Sequence, residues 1–397
     1  CFVAESPRWL HRKGKRDAAL RALLRSRSPE QAERERSEMD EIAAEAARRS
    51  SVPGAGRESL LRRKYVVPFV LACIILACTQ TTGINSIIGY STTILLQAGL
   101  SDVQSHWGYV VLTLVNFLLT IVGFTLVDRK GRKFLLSVGT AGIVVSLLLV
   151  GLLFRRTERR RVDCRAAVQA SVRGDQTAVI SYRGASAARL LATAGARGRA
   201  LAHGPSTLVV IYSYGGFRSA TKALRSDDLA AKPIVLNRAG CLPANSVVAF
   251  FSDPFASLRR ARAAPLKIEE ALVTPIGTQR NGWLTAILIY AFMAFFALGP
   301  GVCVWLALSE LMPTRIRSNG MSIALLINQG ISTAIAATFL PTVGRYGYAA
   351  MFFAFAGCTL IYFLVATFLL PETKGRTLEE IERLFDTPKP QAPLTPR

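Results

Sequence analysis

Long apolar runs constrain the fold of this chain more than any other feature of its sequence. An α-helix needs about 20 apolar residues to cross the hydrocarbon core of a bilayer. Six runs of this kind predict membrane-spanning helices at about Tyr65–Leu96, Gly108–Val127, Phe134–Phe154, Gly282–Leu308, Met321–Phe339 and Tyr348–Leu370. Hydrophobic residues are 51% of the 397 residues, which suits a membrane protein with one soluble insert. We therefore expect an all-α membrane protein.

The distribution of basic residues indicates how the chain lies in the membrane. A net charge of +23 would suggest nucleic acid as the partner of a soluble protein, but here the arginines cluster at the ends of apolar runs and in one insert. Four of the six residues from Asp128 to Lys133 are basic, which predicts a cytoplasmic loop. The expected location is a plasma membrane, such as the inner membrane of a bacterium. We expect no nucleic-acid partner, no cofactor and no metal.

A polar stretch interrupts the first apolar run. Hydrocarbon cannot hydrogen-bond the carboxamides of Gln80 and Asn85, which flank Gly83, so these groups are expected to face a watery cavity. Carboxamides offer uncharged donors and acceptors, which suit the hydroxyl groups of a sugar better than an ion. The alternative is that both amides join neighbouring helices through interhelical hydrogen bonds.

Several motifs resemble those of the sugar porters of the major facilitator superfamily. Gln80–Asn85 followed by Tyr90 resembles the seventh helix of that family, and Gly299–Trp305 resembles its tenth. Further resemblances occur at Glu5–Leu10, Asp128–Lys133, Glu310–Arg317 and Pro371–Gly375. The resemblance implies that the six spans are helices seven to twelve of a twelve-helix fold, and that the first six helices are missing.

The resemblance also implies which residues act. The residues expected to bind substrate are Thr79, Gln80, Asn85, Tyr90, Asn116, Phe296, Trp305 and Asn328. The Trp305 ring would pack on the apolar face of a pyranose. A cytoplasmic charge network that holds the outward-facing state would consist of Glu5, Arg8, Asp128, Arg132, Glu310, Arg317 and Glu372.

The segment 155–281 has no counterpart in the resemblance. Short β-branched pieces predict strands at Thr177–Tyr182, Thr207–Tyr214, Pro233–Asn237 and Val247–Ser252, with one helix at Ala185–Ala194. We expect a small β-rich domain outside the cytoplasm that acts as a passive cap. Cys164 and Cys241 are its only cysteines, and an oxidising compartment predicts a disulfide between them.

The chain therefore divides into five predicted parts. These are a cytoplasmic linker with amphipathic helices (1–64), three transmembrane helices (65–154), the extracytoplasmic insert (155–281), three more transmembrane helices (282–370), and a cytoplasmic C-terminal helix and tail (371–397).

The implied function is transport of a neutral monosaccharide by alternating access, either facilitated or coupled to protons. Its partners would be the sugar, the lipid bilayer, the missing six N-terminal helices and, in a coupled carrier, protons. The chain alone is not expected to transport, and it is not expected to be an enzyme. The alternatives are a porter of a polyol or another small solute, a membrane sugar sensor, and, as the least favoured, a glycoside-hydrolysing enzyme in the insert.

Overall fold

The computed structural model describes residues 5, 7–25, 28–50, 62–219, 222–228, 232–245, 249, 257–313, 316–374 and 385. The chain divides into two compact units, Cys1–Val66 and Val67–Arg397.

The described residues of the first unit form helices α1 (Pro7–Arg12), α2 (Arg16–Leu24) and α3 (Pro29–Ser50). A proline opens both α1 and α3, where its missing N–H costs no hydrogen bond. The unit buries Leu10, Ala19, Leu23 and Ala32. His11 Nε2 lies 3.0 Å from Asp40 Oδ1, and this hydrogen bond lowers the pKa of Asp40.

The second unit contains the membrane helices and the insert. Its helices, in chain order, are α4 (Arg63–Thr81, which begins in the first unit), α5 (Ile84–Gly89), α6 (Ser91–Ala98), α7 (Asp102–Lys130), α8 (Arg132–Glu158), α9 (Arg165–Ala170), α10 (Gly184–Ala192), α11 (Gly195–Leu201), α12 (Leu258–Ala263), α13 (Gln279–Leu298), α14 (Pro300–Leu311), α15 (Arg317–Tyr346) and α16 (Tyr348–Leu364). A π-helical turn at Val365–Leu369 extends α16. Within the described residues, six helical segments are long and apolar enough to cross a membrane.

Two of the six spans are broken. The first span breaks at Gly83, which adopts a left-handed conformation (φ 80°) that separates α4 from α5. Tyr90 then separates α5 from α6. The fourth span breaks at Gly299, and Pro300 begins α14. Such breaks leave backbone groups unpaired, so they are tolerated only inside protein or beside a watery cavity.

Helix α8 lies at the centre of the packing and contacts both α13 and α16. Two apolar clusters hold the bundle: one includes Ile143, Phe292 and Phe352, and the other includes Leu136 and Tyr362. Gly139 allows the close approach of α8 to the break between α13 and α14. A Cβ atom there would lie 2.8 Å from the Phe295 carbonyl oxygen.

Helices α7 and α15 are much less covered than the others. The exposed face of α7 carries large apolar side chains, each with half or more of its surface open, namely Leu114, Phe117, Leu118, Ile121 and Phe124. Exposing an apolar surface of this size to water is unfavourable. Lipid or other apolar helices must therefore cover it.

The insert connects the end of α8 to the start of α13. Its strands are β1 (Val162–Asp163), β2 (Ala178–Ile180), β3 (Ser206–Tyr214), β4 (Phe217–Arg218), β5 (Lys222–Arg225), β6 (Ile234–Leu236) and β7 (Leu266–Pro275). Strand β7 pairs antiparallel with β1 on one side and with β3 on the other. The far edge of β3 pairs with β4 and β5, while β2 and β6 form a separate antiparallel pair.

The insert is a mixed α and β structure. Strands β2, β3 and β6 and helix α10 fall in segments where the sequence predicts them, but the sequence does not predict α9, α11, α12 or the 3₁₀ turn at Arg238–Gly240. The predicted strand Val247–Ser252 lies outside the described residues, except for Ala249. The sequence does not predict strand β7, because Lys267, Glu269 and Glu270 interrupt its apolar pattern.

The predicted disulfide between Cys164 and Cys241 is wrong in this structure, because both thiols are free. Cys164 is buried in the insert's apolar core, where burial and the nearby Asp163 raise its pKa to about 11. The Cys241 thiol donates a hydrogen bond to the Phe217 carbonyl oxygen at 3.1 Å. Cys241 packs against the same apolar core, yet the two sulfurs are not bonded, which the spacing of cysteines in a sequence does not reveal.

Candidate functional site

The break in the first span sets the positions of two carboxamides. Gln80 lies in the last turn of α4, and Asn85 lies in the first turn of α5. Only glycine suits the turn between them, because a Cβ atom on Gly83 would overlap the Phe355 ring. The left-handed backbone at this position also disfavours any other residue.

Four polar side chains form what we term the amide cluster: Gln80, Asn85, Asn328 and Ser332. The Asn85 amide donates to Gln80 Oε1 at 2.9 Å and to Ser332 Oγ at 2.7 Å. The Gln80 amide in turn donates to Asn328 Oδ1 at 3.1 Å. The cluster therefore joins the broken first span to α15.

The amide cluster runs from a buried end to an open end. Asn328 and Gln80 are only 2% and 8% exposed, whereas Asn85 is exposed. Among the described residues, none donates a hydrogen bond to the Asn85 side-chain oxygen. The cluster thus presents uncharged donors and acceptors at the surface of an apolar bundle, a chemistry that suits hydroxyl groups.

Thr79 is not part of this cluster. Its hydroxyl donates to the Ile75 carbonyl oxygen at 2.8 Å and to the Tyr362 hydroxyl at 3.0 Å, and the residue is 7% exposed. The Thr79 side chain is therefore held between α4 and α16, and its predicted contact with substrate stays a prediction.

The structure does not connect the other predicted substrate residues to the amide cluster. Trp305 on α14 is 52% exposed, and Asn116 on α7 is half-buried. Within the described part of the chain, neither side chain forms a hydrogen bond. The Tyr90 ring stacks on Phe339 with centroids 4.7 Å apart, and the Phe296 ring lies 6.4 Å from that of Phe292. Their roles in binding substrate stay predictions.

A charge cluster lies at the end of the bundle opposite the insert. Arg132 Nη2 lies 3.0 Å from Glu310 Oε1 and 3.4 Å from Asp128 Oδ1. The Thr373 hydroxyl donates to the second Glu310 oxygen at 2.6 Å. Arg132 and Glu310 are mostly buried, whereas Asp128 is exposed, so the Arg132–Glu310 pair is the stronger of the two.

Glu372 caps the start of α8. Its carboxylate accepts hydrogen bonds from the backbone N–H groups of Arg132 and Lys133, at 3.2 and 3.3 Å. A negative charge is favoured there because the unpaired N–H groups of a helix start carry partial positive charge. The Lys374 ammonium donates to the Arg129 carbonyl oxygen at 2.7 Å. The segment after α16 is thereby joined to the junction of α7 and α8.

The predicted seven-residue charge network is observed only in part. Asp128, Arg132, Glu310 and Glu372 come together, but Arg317 donates to the Met312 carbonyl oxygen at 3.1 and 3.2 Å. Glu5 belongs to the first unit, where it is exposed. The side chain of Arg8 lies outside the described residues.

Sequence reasoning missed one polar group in each cluster, Ser332 and Thr373, and also the helix cap Glu158. Ser332 follows Asn328 by one helical turn, so helix periodicity could have found it. Thr373 lies beside Glu372 in the motif itself. Glu158 accepts the backbone N–H groups of Tyr348 and Ala349 at 2.7 and 3.2 Å, which caps the start of α16 at the insert end. No sequence signal links these two distant positions.

The helices and their breaks define a multi-pass membrane protein with the major facilitator fold. The structure is similar to the proton:xylose symporter XylE bound to 6-bromo-6-deoxy-D-glucose, with a TM-score of 0.55 and 18% identity. The match covers 96% of this chain and 55% of that one.

The chain belongs to the Sugar (and other) transporter family, whose model matches residues 1–170 and 269–385. Most of the insert, residues 171–268, lies outside this match.

Curated relatives of the chain are also transporters. It is 27% identical over 401 residues to the human proton myo-inositol cotransporter, a match that covers 97% of this chain and 54% of the relative. It is 23% identical to the glucose transporter GlcP of Staphylococcus epidermidis, over 96% of this chain and 57% of the relative. A probable polyol transporter 6 of Arabidopsis thaliana is 37% identical over 102 residues, covering 26% of this chain and 21% of the relative. Almost the whole of this chain matches the human cotransporter and GlcP, and it spans about half the length of each of these relatives.

Proposed function

We propose that this chain forms the C-terminal half of a twelve-helix carrier that moves a neutral monosaccharide across a membrane by alternating access. The support is the family membership, the six spans, and the coverage of 54% of the human proton myo-inositol cotransporter. In carriers of this kind, two helical halves rock around a solute site near the middle of the bilayer.

The observation that carries the proposal is the amide cluster at the broken first span. A carboxamide in hydrocarbon is costly unless it is paired, so an exposed Asn85 bonded to buried Gln80 indicates a site that a polar solute reaches. The absence of charge in the cluster favours a neutral solute. Trp305 and Asn116 would complete the site from α14 and α7.

The uncovered face of α15 supports an additional set of helices. Ser322, Gln329 and Thr333 are exposed at spacings of seven and four residues, which places them on one face of the helix. Lipid tails cannot hydrogen-bond the Gln329 carboxamide. The proposed cover for this face is the first six helices of the carrier, which would supply the other wall of the solute path.

The sidedness of the chain follows from its basic loops. We place Asp128–Lys133, segment 1–64 and segment 371–397 in the cytoplasm, and the insert on the opposite side of a plasma membrane, such as a bacterial inner membrane. The cluster of Arg132, Glu310 and Glu372 would hold the cytoplasmic ends of the helices together in the outward-facing state. Protons would be a further partner in a coupled carrier.

A polyol is the second candidate substrate. It is favoured by the similarity to the human proton myo-inositol cotransporter along 97% of the chain. The amide cluster offers no group that separates a cyclic polyol from a pyranose, because both present neighbouring hydroxyls.

The test replaces Gln80 and Asn116 in the complete carrier. Gln80→Ala and Asn116→Ala should each weaken binding by about 1–3 kcal/mol, or roughly tenfold or more in affinity, because hydroxyls of the bound solute lose a partner. The measurement is equilibrium binding of radiolabelled D-glucose and myo-inositol, normalised to folded protein, with uptake measured in parallel. Asn281→Ala removes a carboxamide at the insert end of α13 and is the matched control.

Asn116 is the more informative of the two positions. Its side chain forms no hydrogen bond within the described part of the chain, so Asn116→Ala removes no intramolecular partner. If both variants reduce the amount of folded protein while affinity per folded molecule is unchanged, the amides only join helices and the sugar-site assignment is wrong. Binding without uptake would instead favour a membrane sugar sensor.

A further inference from the structure

A cavity of about 390 Å³ lies between the insert and the adjacent ends of the membrane helices. One wall is formed by Tyr90, Thr93 and Gln97, at the start and along the length of α6. The insert contributes Thr207 and Ala223, on strands β3 and β5, to the lining. We call this space the vestibular cavity. Tyr90 also lines a larger space of about 1080 Å³, so the two are adjacent.

The elements around the vestibular cavity are bonded to one another. The Thr207 hydroxyl donates to Gln97 Oε1 at 2.8 Å, and Arg225 Nη1 donates to the Leu96 carbonyl oxygen at 3.1 Å. The backbone N–H of Gly277 donates to the Gln97 carbonyl oxygen at 3.3 Å. The sheet of the insert and helix α6 therefore form one continuous structure at this point.

The charges around the vestibular cavity balance. Among the described residues, its charged lining consists of two acids and two arginines, namely Glu158, Asp228, Arg161 and Arg225. Arg161 Nη2 lies 3.8 Å from Glu158, and Arg225 Nη2 lies 2.8 Å from Asp227. The larger space has the same balance, with three acids and three arginines among its lining residues. Neither an anion nor a cation gains from such a lining, whereas a neutral solute does not have to displace a counter-ion.

The hydrogen-bonding groups of the vestibular cavity are mainly uncharged. Gln97 uses its side-chain oxygen to bind Thr207, and within the described residues its amide N–H groups have no partner. Thr93 is exposed, and its hydroxyl likewise forms no bond in the described part of the chain. The Tyr90 ring, held flat against Phe339, adds an aromatic surface. Uncharged donors and acceptors beside an aromatic ring are the groups that bind sugars and cyclic polyols.

We propose that the vestibular cavity is a second binding site for a neutral polyhydroxyl solute, a monosaccharide or a cyclic polyol, separate from the amide cluster. Its volume lies within the range of about 300–1,000 Å³ that is usual for small-molecule sites. The inference rests on the proposed function, because it assigns the site to the same class of solute. The insert then has a role beyond covering the helices, since it supplies part of the binding surface.

The test fills the vestibular cavity from two of the elements that line it. Thr93→Trp acts from α6 and Ala223→Trp acts from β5, and both positions are exposed, so a larger side chain should not disturb the core. The controls make the same substitutions at exposed positions that do not line the cavity, Thr113→Trp on α7 and Ala188→Trp on α10. Equilibrium binding of radiolabelled D-glucose and myo-inositol is measured with the purified chain in lipid nanodiscs.

We expect each filling variant to weaken binding at least tenfold, and each control to stay within about twofold of the original chain. Asn281→Ala, which removes a carboxamide that does not line the vestibular cavity, should leave this binding unchanged. D-Glucuronate and D-glucosamine, which are charged relatives of the probes, should bind at least tenfold more weakly than D-glucose. Equal binding of the charged and neutral probes would contradict the argument from charge balance.

Two results would overturn the vestibular site. One is that the original chain binds neither probe. The other is that both filling variants bind normally while Gln80→Ala does not, which would leave the amide cluster as the site and the proposed function intact. A different result would contradict the proposed function alone. In that case the filling variants abolish binding to the purified chain, whereas Gln80→Ala and Asn116→Ala leave the affinity of the complete carrier unchanged.

Discussion

At the scale of single residues, helix phase decides which polar groups are available to a solute. Thr79 and Gln80 are neighbours in sequence, but one residue turns an α-helix by about 100°. The Thr79 hydroxyl therefore bonds to Tyr362 on α16, while the Gln80 amide bonds to Asn328 on α15. The sequence shows that both residues are polar and lie in an apolar run. It does not show which neighbouring helix each one faces, because that depends on the packing of distant segments.

The cysteines of the insert give a prediction at the residue scale. Burial and Asp163 raise the Cys164 pKa from 9.0 to about 11, so the reactive thiolate is about a hundredfold rarer at neutral pH. Burial also raises the pKa of Cys241. We expect both thiols to be found free in protein from native membranes, and Cys164 to react with iodoacetamide at least a hundredfold more slowly than in the denatured chain.

Mass spectrometry of peptides labelled before and after denaturation measures both expectations. The alkylation rate of Cys164 should rise about tenfold per pH unit until the pH approaches 11, because the thiolate fraction rises in that proportion. A disulfide between Cys164 and Cys241, or rapid labelling of Cys164 in the native protein, would contradict the structure of the insert.

At the scale of secondary-structure elements, the helix breaks and helix caps organise the bundle. The helix breaks could be predicted in part from the sequence, because Gly83 and the Gly299–Gly301 motif are weak points in any helix. The helix caps could not be predicted from the sequence. Glu372 caps α8, and Glu158 caps α16, at opposite ends of the bundle, and each pairs residues that are distant in sequence. Together they join the ends of α8 to the two ends of the final span.

Gly83 supports a prediction about the first break. Gly83→Ala should destabilise the protein by about 2–5 kcal/mol, since a left-handed residue with a Cβ costs about 1–2 kcal/mol and overlap with the Phe355 ring adds about 1–3 kcal/mol. The measurement is thermal unfolding in detergent. Gly89→Ala is the matched control, because no atom lies within 4 Å of a Cβ at that position.

The control should be neutral or slightly stabilising, because an alanine that fits the helix at residue 89 reduces the freedom of the unfolded chain. Equal unfolding temperatures for Gly83→Ala and the original chain would mean that the break tolerates a side chain. The geometry described for α4 and α5 would then be wrong.

At the scale of the whole molecule, the sequence predicted the membrane helices better than the insert. Spans such as α7 and α8 were predictable because hydrocarbon demands a long, uninterrupted apolar helix. The insert is not under this constraint. Strand β7 has charged residues in its middle and still pairs with β3 along nearly its whole length. Tertiary pairing overrides the local pattern in a soluble sheet, and this is why the mixed α and β structure was not foreseen.

The last prediction concerns the chain as a unit. Reconstituted alone in liposomes, it should show no saturable uptake of D-glucose or myo-inositol above that of empty liposomes. Alternating access needs two walls that move against each other, and this chain provides six spans with α7 and α15 largely uncovered. The glucose transporter of Staphylococcus epidermidis, reconstituted in the same way, is the positive control for active liposomes. Binding of the probes without uptake would agree with the half-carrier proposal, since the amide cluster and the vestibular cavity both lie within this chain. Saturable uptake that Gln80→Ala abolishes would show instead that the six spans transport without the proposed first half.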